Sequence, residues 1–145
     1  MVLISHRGNL TGSNPERENS PIYIQEALDK GYDVEIDVWV KDNNIWLGHG
    51  CPQYLIDKIW LYLHKKHLWI HCKNIEAISY FSSELKLFNY FWHENDTLTL
   101  TSKNYIWAYP GKQPINNSIA VMPEINNDDV SQCLGVCSDY IQNYK

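Results

Sequence analysis

Basic residues are scarce in this 145-residue sequence, with 12 Lys and Arg against 17 Asp and Glu and a formal net charge of -5. Such a chain has no broad cationic face to neutralise a phosphate backbone, so no nucleic-acid partner is expected. Long apolar runs are missing as well. The N-terminal run ends at Ile4, short of a signal-peptide core, and no stretch approaches the roughly 20 apolar residues of a membrane span. No membrane span and a cytoplasmic location follow as expectations. There is no Cys-x-x-Cys pair among Cys51, Cys72, Cys133 and Cys137. Cys133 and Cys137 have no nearby His or Cys to complete a tetrahedral metal set, so all four are read as reduced, packed thiols. Repeats, low-complexity tracts, charge blocks and linker-like stretches are also absent. With 44% apolar residues, the chain reads as one globular domain over residues 1–145, able to bury a core.

Strand and helix signals alternate through the first half. Residues 2–5 are a short apolar run, residues 8–19 a polar loop, and Ser20-Pro21 a helix start in which Ser caps and Pro takes the first turn. Ile24, Ala27 and Leu28 follow the helical period until Gly31, and residues 34–40 form a β-branched run with polar alternates, the pattern of a strand. Asp42-Asn43-Asn44 is turn chemistry, so Ile45-Trp46-Leu47 doubles back as a hairpin arm. Leu55, Ile59 and Tyr62 or Leu63 predict a helical stripe, and residues 68–70 a third strand. Asn74 caps a further helix with the stripe Ile75, Ile78, Phe81 and Leu85. Beyond it, residues 88–92, 97–101, 105–109, 119–122 and 135–138 read as strands, and the links after Trp92 and Thr101 are too short for crossover helices. The alternation argues for an α/β fold with a parallel sheet or barrel. A full eight-stranded barrel takes ~250 residues, so this one must be trimmed, by losing outer helices or whole strands. Lost strands would leave open sheet edges in need of cover, so a monomer or a homodimer is expected.

The chemistry lies at the strand ends. His6 and Arg7 close the first strand, and Glu35 and Asp37, two apart on the second, emerge on one face. Paired carboxylates repel each other unless a divalent cation sits between them, for hard cations prefer carboxylate oxygens. A three-residue hairpin loop sets Asp37 opposite His49, and a two-residue loop moves the pairing by one. Either register returns an imidazole towards the carboxylates. His71 and Lys73 alternate with Cys72 on the third strand and share a face. Singly, each residue has a plainer reading, since a lone Glu-x-Asp is most often a solvated edge and the six Trp are core and rim filling. Together, carboxylates, imidazoles, Arg and Lys at three successive strand ends suit phosphoryl chemistry.

The runs Ile4-Ser5-His6-Arg7-Gly8-Asn9, Glu18-Asn19-Ser20, Ala27-Leu28, Gly31 to Val38 with its Glu35-x-Asp37, and Gly48-His49 resemble the N-terminal half of the glycerophosphodiester phosphodiesterases. Residues 135–140, with Ser138-Asp139, resemble the family's last barrel strand. The resemblance implies a trimmed TIM-type (β/α) barrel lacking several outer helices, mainly in its second half. It implies a metal-dependent phosphodiester hydrolase acting on a small-molecule phosphodiester, with His6 and His49 as general acid and base. Glu35 and Asp37 would bind Ca2+ or Mg2+, and Arg7 and Lys73 would hold the phosphate. Two departures stand out. The family's third strand carries Glu-x-Lys with the Glu as third metal ligand, whereas here His71 precedes Cys72-Lys73. An imidazole admits a transition metal in place of Ca2+ or Mg2+, and Glu124 is an alternative third ligand. Gly50 stands where the family has an Asp after the second His, so His49 must be oriented by another group. Related sphingomyelinase D-like and phospholipase C-like enzymes share the plan and would give a cyclic product. A non-catalytic barrel binding a phosphorylated or glycosylated ligand is the reading from another class.

Overall fold

The computed structural model describes residues 1–84 and 87–145. Its elements in chain order are β1 (Val2–His6), α1 (Pro21–Asp29), β2 (Asp33–Lys41), β3 (Asn44–Leu47), β4 (Tyr54–Ile56), α2 (Lys58–His64), β5 (Leu68–Cys72), α3 (Ile75–Ser83), β6 (Asn89–Phe91), β7 (Leu98–Leu100), β8 (Ile106–Ala108), β9 (Ser118–Val121) and β10 (Gly135–Ser138). Two 3-10 turns, Pro123–Ile125 and Ile141–Tyr144, complete the chain. The first helix begins as its chemistry dictates: the Ser20 side chain accepts from the Tyr23 amide, and Pro21 occupies the first turn, where its missing N–H costs nothing. Asn74 caps α3 in the same way through the Ala77 amide. No α-helix follows α3 among the described residues, as the short links require.

The strands form one mixed sheet. Along the order β6-β5-β2-β1-β10-β9-β8 every pairing is parallel, and β7 is added antiparallel to β8. The sheet curls so far that the chain just after β7 returns to β6: the Ser102 amide donates to Tyr90 O at 2.8 Å, while the Ser102 hydroxyl accepts from the Tyr90 amide at 3.0 Å. Because successive side chains of a strand point to opposite faces, the curled sheet has two cores. Ile4, Trp69, Phe91, Trp107, Ile119, Val121 and Cys137 fill the concave side. Trp69 and Trp107 stack there at 5.7 Å between ring centroids, so large aromatic rings fill the middle. On the convex side Val34, Ile36, Val38, Leu68 and Ile70 pack under Ile24 and Ala27 of α1, Leu61 of α2 and Phe81 of α3. In the second half, where no α-helix occurs among the described residues, Val130, Cys133, Ile141 and Tyr144 from loops and the last 3-10 turn lie against that core.

Of the two loop lengths left open for the hairpin between β2 and β3, the two-residue one is present, with Lys41 opposite Asn44; two other expectations need correction. Asp42 and Asn43 both adopt positive φ, 51° and 61°, the backbone of the turn whose twist matches that of paired strands. Residues 55–63 do not form one helical stripe. Leu55 lies in β4, which pairs with β3, while Ile59 and Leu63 of α2 are 67% and 75% exposed and Leu61 is the fully buried residue. On α3, Ile75 faces solvent and Ala77 and Phe81 are buried; Leu85, the last residue of the stripe read from the sequence, lies outside the described residues. All four cysteines are free thiols, and no described helix is long and apolar enough to cross a membrane.

Candidate active site

Parallel pairing brings the C-terminal ends of the strands to one rim, the usual place for ligands in such sheets. Two cross-strand partners are set directly by register: His6 of β1 lies beside Glu35 of β2, and Asp37 of β2 beside His71 of β5. Glu35, Asp37 and His71 are 2%, 0% and 7% exposed. Each offers a ligand atom, and these atoms lie within 4.8 Å of one another. His71 Nδ1 faces both carboxylates, 3.1 Å from Asp37 Oδ1 and 3.9 Å from Glu35 Oε1.

Buried acceptors left without a donor are costly, and here they converge. Glu35 Oε2 and Asp37 Oδ1 have no hydrogen-bond partner, nor does His71 Nε2. Burial and the neighbouring Asp37 charge raise the Glu35 carboxyl above its ordinary value. Burial pushes Asp37 in the same direction, but the imidazoles of His49 and His71 and the Arg7 guanidinium outweigh it and hold Asp37 well below the usual carboxylate range. Two buried carboxylates with orphaned oxygens and an imidazole nitrogen are a donor set that fits a divalent cation.

The histidines stand on either side of this group. His6 Nδ1 lies 2.7 Å from Asp139 Oδ1, and its Nε2 lies 3.8 Å from Glu35 Oε2. Asp139 also accepts from the Asn9 amide at 2.8 Å. Burial alone would depress His6, yet the Asp139 hydrogen bond and the Glu35 charge raise it above its ordinary value. Asp139 is lowered in turn, because its bond to His6 outweighs its own burial. His49 enters from the loop after β3. Gly48 donates its amide to Asp37 O at 3.1 Å and its carbonyl accepts from Trp39 Nε1 at 2.7 Å, which anchors the loop on β2. His49 Nδ1 then lies 2.7 Å from Arg7 Nη2 and 3.3 Å from Asp37 Oδ2.

Arg7 is bent into the left-handed region, φ 56°, because its amide donates to Glu35 O and its carbonyl accepts from Asn19. Its guanidinium is shared among Asp37 Oδ2 at 3.0 Å from Nε, Glu18 Oε2 at 3.2 Å from Nη1, and His49. Asn19 grips Asp37 twice, donating from Nδ2 to Oδ2 at 2.9 Å and accepting from the Asp37 amide at 3.0 Å. Lys73 Nζ is 3.8 Å from Asp37 Oδ1.

One cavity of ≈ 320 Å³ is lined by His6, Arg7, Glu35, His49, His71 and Lys73, and Asp37 lies buried beneath it. All seven site residues read from the sequence are thus brought together. Glu124 is not: its carboxylate accepts from the Ser138 and Tyr144 hydroxyls at 2.8 and 3.1 Å, whereas His71 stands beside Glu35 and Asp37. The far wall of the cavity is aromatic, from Trp92, His93, Trp107 and Tyr109, with Glu94 at its edge. His93 stacks on His71 at 4.4 Å and is hydrogen-bonded by Tyr109. Its imidazole is drawn down to about 4, first by burial and then by the neighbouring His71. Sequence reading assigned no role to His93 or Tyr109, whose signal is a polar group at each strand end in phase with Phe91 and Trp107. It assigned none to Asp139, Asn9 or Asn19 either, although all three fall within the motifs quoted above. Comparison of the chain with protein-family models, with curated proteins and with solved structures finds no match.

Proposed function

We propose that this protein is a metal-dependent phosphodiester hydrolase of the glycerophosphodiester phosphodiesterase type, and that its curled sheet is a trimmed TIM-type barrel. The observation that carries the reading is the convergence, in one cavity, of two imidazoles on either side of a buried group of carboxylates with unpartnered oxygens. Glu35, Asp37 and His71 would hold a divalent cation, Ca2+, Mg2+ or a transition metal. When bound, it supplies Lewis-acid polarisation of a phosphoryl oxygen and charge to offset the paired carboxylates. Lys73 places an ammonium at the cavity wall for the substrate phosphate. His6, tethered through Nδ1 to Asp139, turns Nε2 towards the cavity, where it can exchange a proton with the attacking oxygen. His49, 55% exposed at the cavity mouth, serves the other oxygen. The parallel order of the strands and the return of Ser102 to β6 support the barrel reading.

The test is turnover of bis(p-nitrophenyl) phosphate and of a glycerophosphodiester by protein stripped with a chelator and resupplied with Mg2+, Ca2+, Mn2+, Co2+ or Zn2+ in turn. Hydrolysis that appears only with cation and disappears in both His6→Ala and His49→Ala is the expected result. No cation-dependent turnover of either diester would favour a ligand-binding barrel.

A further inference from the structure

The two oxygens of Asp37 are held differently. Oδ2 accepts from Asn19 Nδ2 at 2.9 Å, is ion-paired with Arg7 Nε at 3.0 Å, and lies 3.3 Å from His49 Nδ1. A carboxylate oxygen has two lone-pair directions, so Oδ2 is committed to the protein. Oδ1 has no hydrogen-bond partner; its neighbours are His71 Nδ1 at 3.1 Å and Lys73 Nζ at 3.8 Å. The residues that hold Oδ2 are fixed in turn. Asn19 accepts from the Asp37 amide at 3.0 Å with the other end of its side chain, which settles which way its amide points. Its backbone amide donates to Arg7 O at 3.0 Å, and the Arg7 amide donates to Glu35 O at 3.0 Å. The clamp is therefore tied to the strand that carries both carboxylates. Arg7 Nη1 and Nη2 meet Glu18 and His49, which leaves no guanidinium nitrogen without a protein partner.

We infer that Arg7 and Asn19 are positioning residues that restrict Asp37 to a single ligand oxygen, and that the site in consequence takes a transition cation of the Co2+ or Zn2+ type in preference to Ca2+. This selectivity rests on the proposed reading in which Glu35, Asp37 and His71 hold a cation. Ca2+ gathers roughly six to eight oxygens and commonly takes both oxygens of a carboxylate. Asp37 cannot supply its second oxygen without giving up Asn19 and Arg7, and His71 Nδ1 puts a nitrogen where Ca2+ needs oxygen. A transition cation accepts imidazole beside carboxylate, and catalytic sites of that kind form from about three protein donors with the remaining positions open to water or substrate. Glu35, Asp37 and His71 are such a set. Arg7 in this arrangement serves Asp37 in place of a substrate phosphate.

The test is binding, not turnover. Protein stripped with a chelator is titrated with Co2+, followed by its visible ligand-field bands, and with Ca2+, followed by calorimetry. Wild type should bind Co2+ more tightly than Ca2+. In His71→Glu the bands should shift as the nitrogen ligand is lost, and Ca2+ affinity should rise. Asn19→Gly takes the φ of 62° at that position without strain and frees Oδ2. N19G, still melting cooperatively, should lose about 10- to 100-fold in Co2+ affinity, the usual cost of removing an outer partner, and keep or gain Ca2+ affinity. Arg7→Lys should change the two affinities in the same directions. A structural role alone would weaken both cations alike, so equal losses in N19G and R7K would overturn the positioning role. Ca2+ bound by wild type as tightly as Co2+ would overturn the selectivity and leave the cation reading in place. Bands unchanged in H71E, or no binding of either cation, would remove the cation reading and this selectivity with it, and Lys73 Nζ would be the charge that offsets the carboxylates.

Discussion

His6 and Asp139 are 133 positions apart in the chain yet joined by a 2.7 Å bond, and their opposite shifts define a pH window. The His6 value in the folded protein is raised above 6.5, so its contribution to stability is complete below 6.5 and is lost as pH rises through the raised value. The Asp139 value is lowered from 3.8, so its contribution is complete above 3.8 and is lost as pH falls through the lowered value. The pair therefore stabilises most between about 4 and 6.5. Wild type should exceed D139N in melting temperature most at pH 5.5, with the gap narrowing by pH 8.5; an equal gap at both pH values would contradict the pairing. On the proposed reading D139N also frees the His6 tautomer, with a fall in kcat of roughly 100-fold. Residues on one strand were legible in the sequence because the two-residue period assigns Glu35 and Asp37, or His71 and Lys73, to a common face. Asp139 was not, because no local pattern states that the last strand pairs with the first.

The hairpin β2–β3 is the element that delivers His49, and Gly48 is its pivot. Gly48 has φ 153°, and a Cβ there would lie 2.1 Å from the backbone oxygen of Cys51. Gly48→Ala must therefore move the loop that carries His49. On the proposed reading His49 is catalytic, and displacement of a catalytic group by about 1 Å costs ~100-fold in rate, so G48A should lose turnover to that extent while keeping a cooperative melt; wild-type activity in G48A would show that the loop absorbs the change. Asn74 ties a second pair of elements together. Its side chain accepts from the Val40 and Ala77 amides and donates to Val40 O at 2.9 Å, so one residue both caps α3 and extends the ladder beside β2. N74A should cost about 2–3 kcal/mol in denaturant unfolding, above the ~1 kcal/mol of a simple cap. At this scale the sequence was informative where signals stood alone, as at Ser20-Pro21 and Asn74. It misled where a three-residue strand abuts a short helix: β4 and α2 together mimic a helical spacing across residues 55–63, although no single helix runs through them.

In the whole molecule, the second half has strands and no α-helix among the described residues, and the convex face there is closed by 3-10 turns and loops. The concave side and its rim are built from strands, and the burial that raises Glu35 is a property of that rim. A carboxyl whose folded value is raised opposes folding: the cost appears as pH rises through its ordinary value of 4.5 and is complete above the raised one. Removing the charge should therefore help the cation-free protein. In chelator at pH 7.5, Glu35→Gln should melt above wild type. A cation bound by Glu35, Asp37 and His71 reverses the order, since a ligand at 100 times its Kd adds about 2.7 kcal/mol to the folded state, or roughly 8 °C for a domain of this size. Wild type should gain that shift, and E35Q and H71A should gain little of it. If cation raised the melting temperature of E35Q and H71A as much as that of wild type, the cation would be binding elsewhere. If it raised none of them, the orphaned oxygens of Glu35 and Asp37 would have to be met by a cationic ligand group or by water, and the chemistry assigned to this rim would change with them.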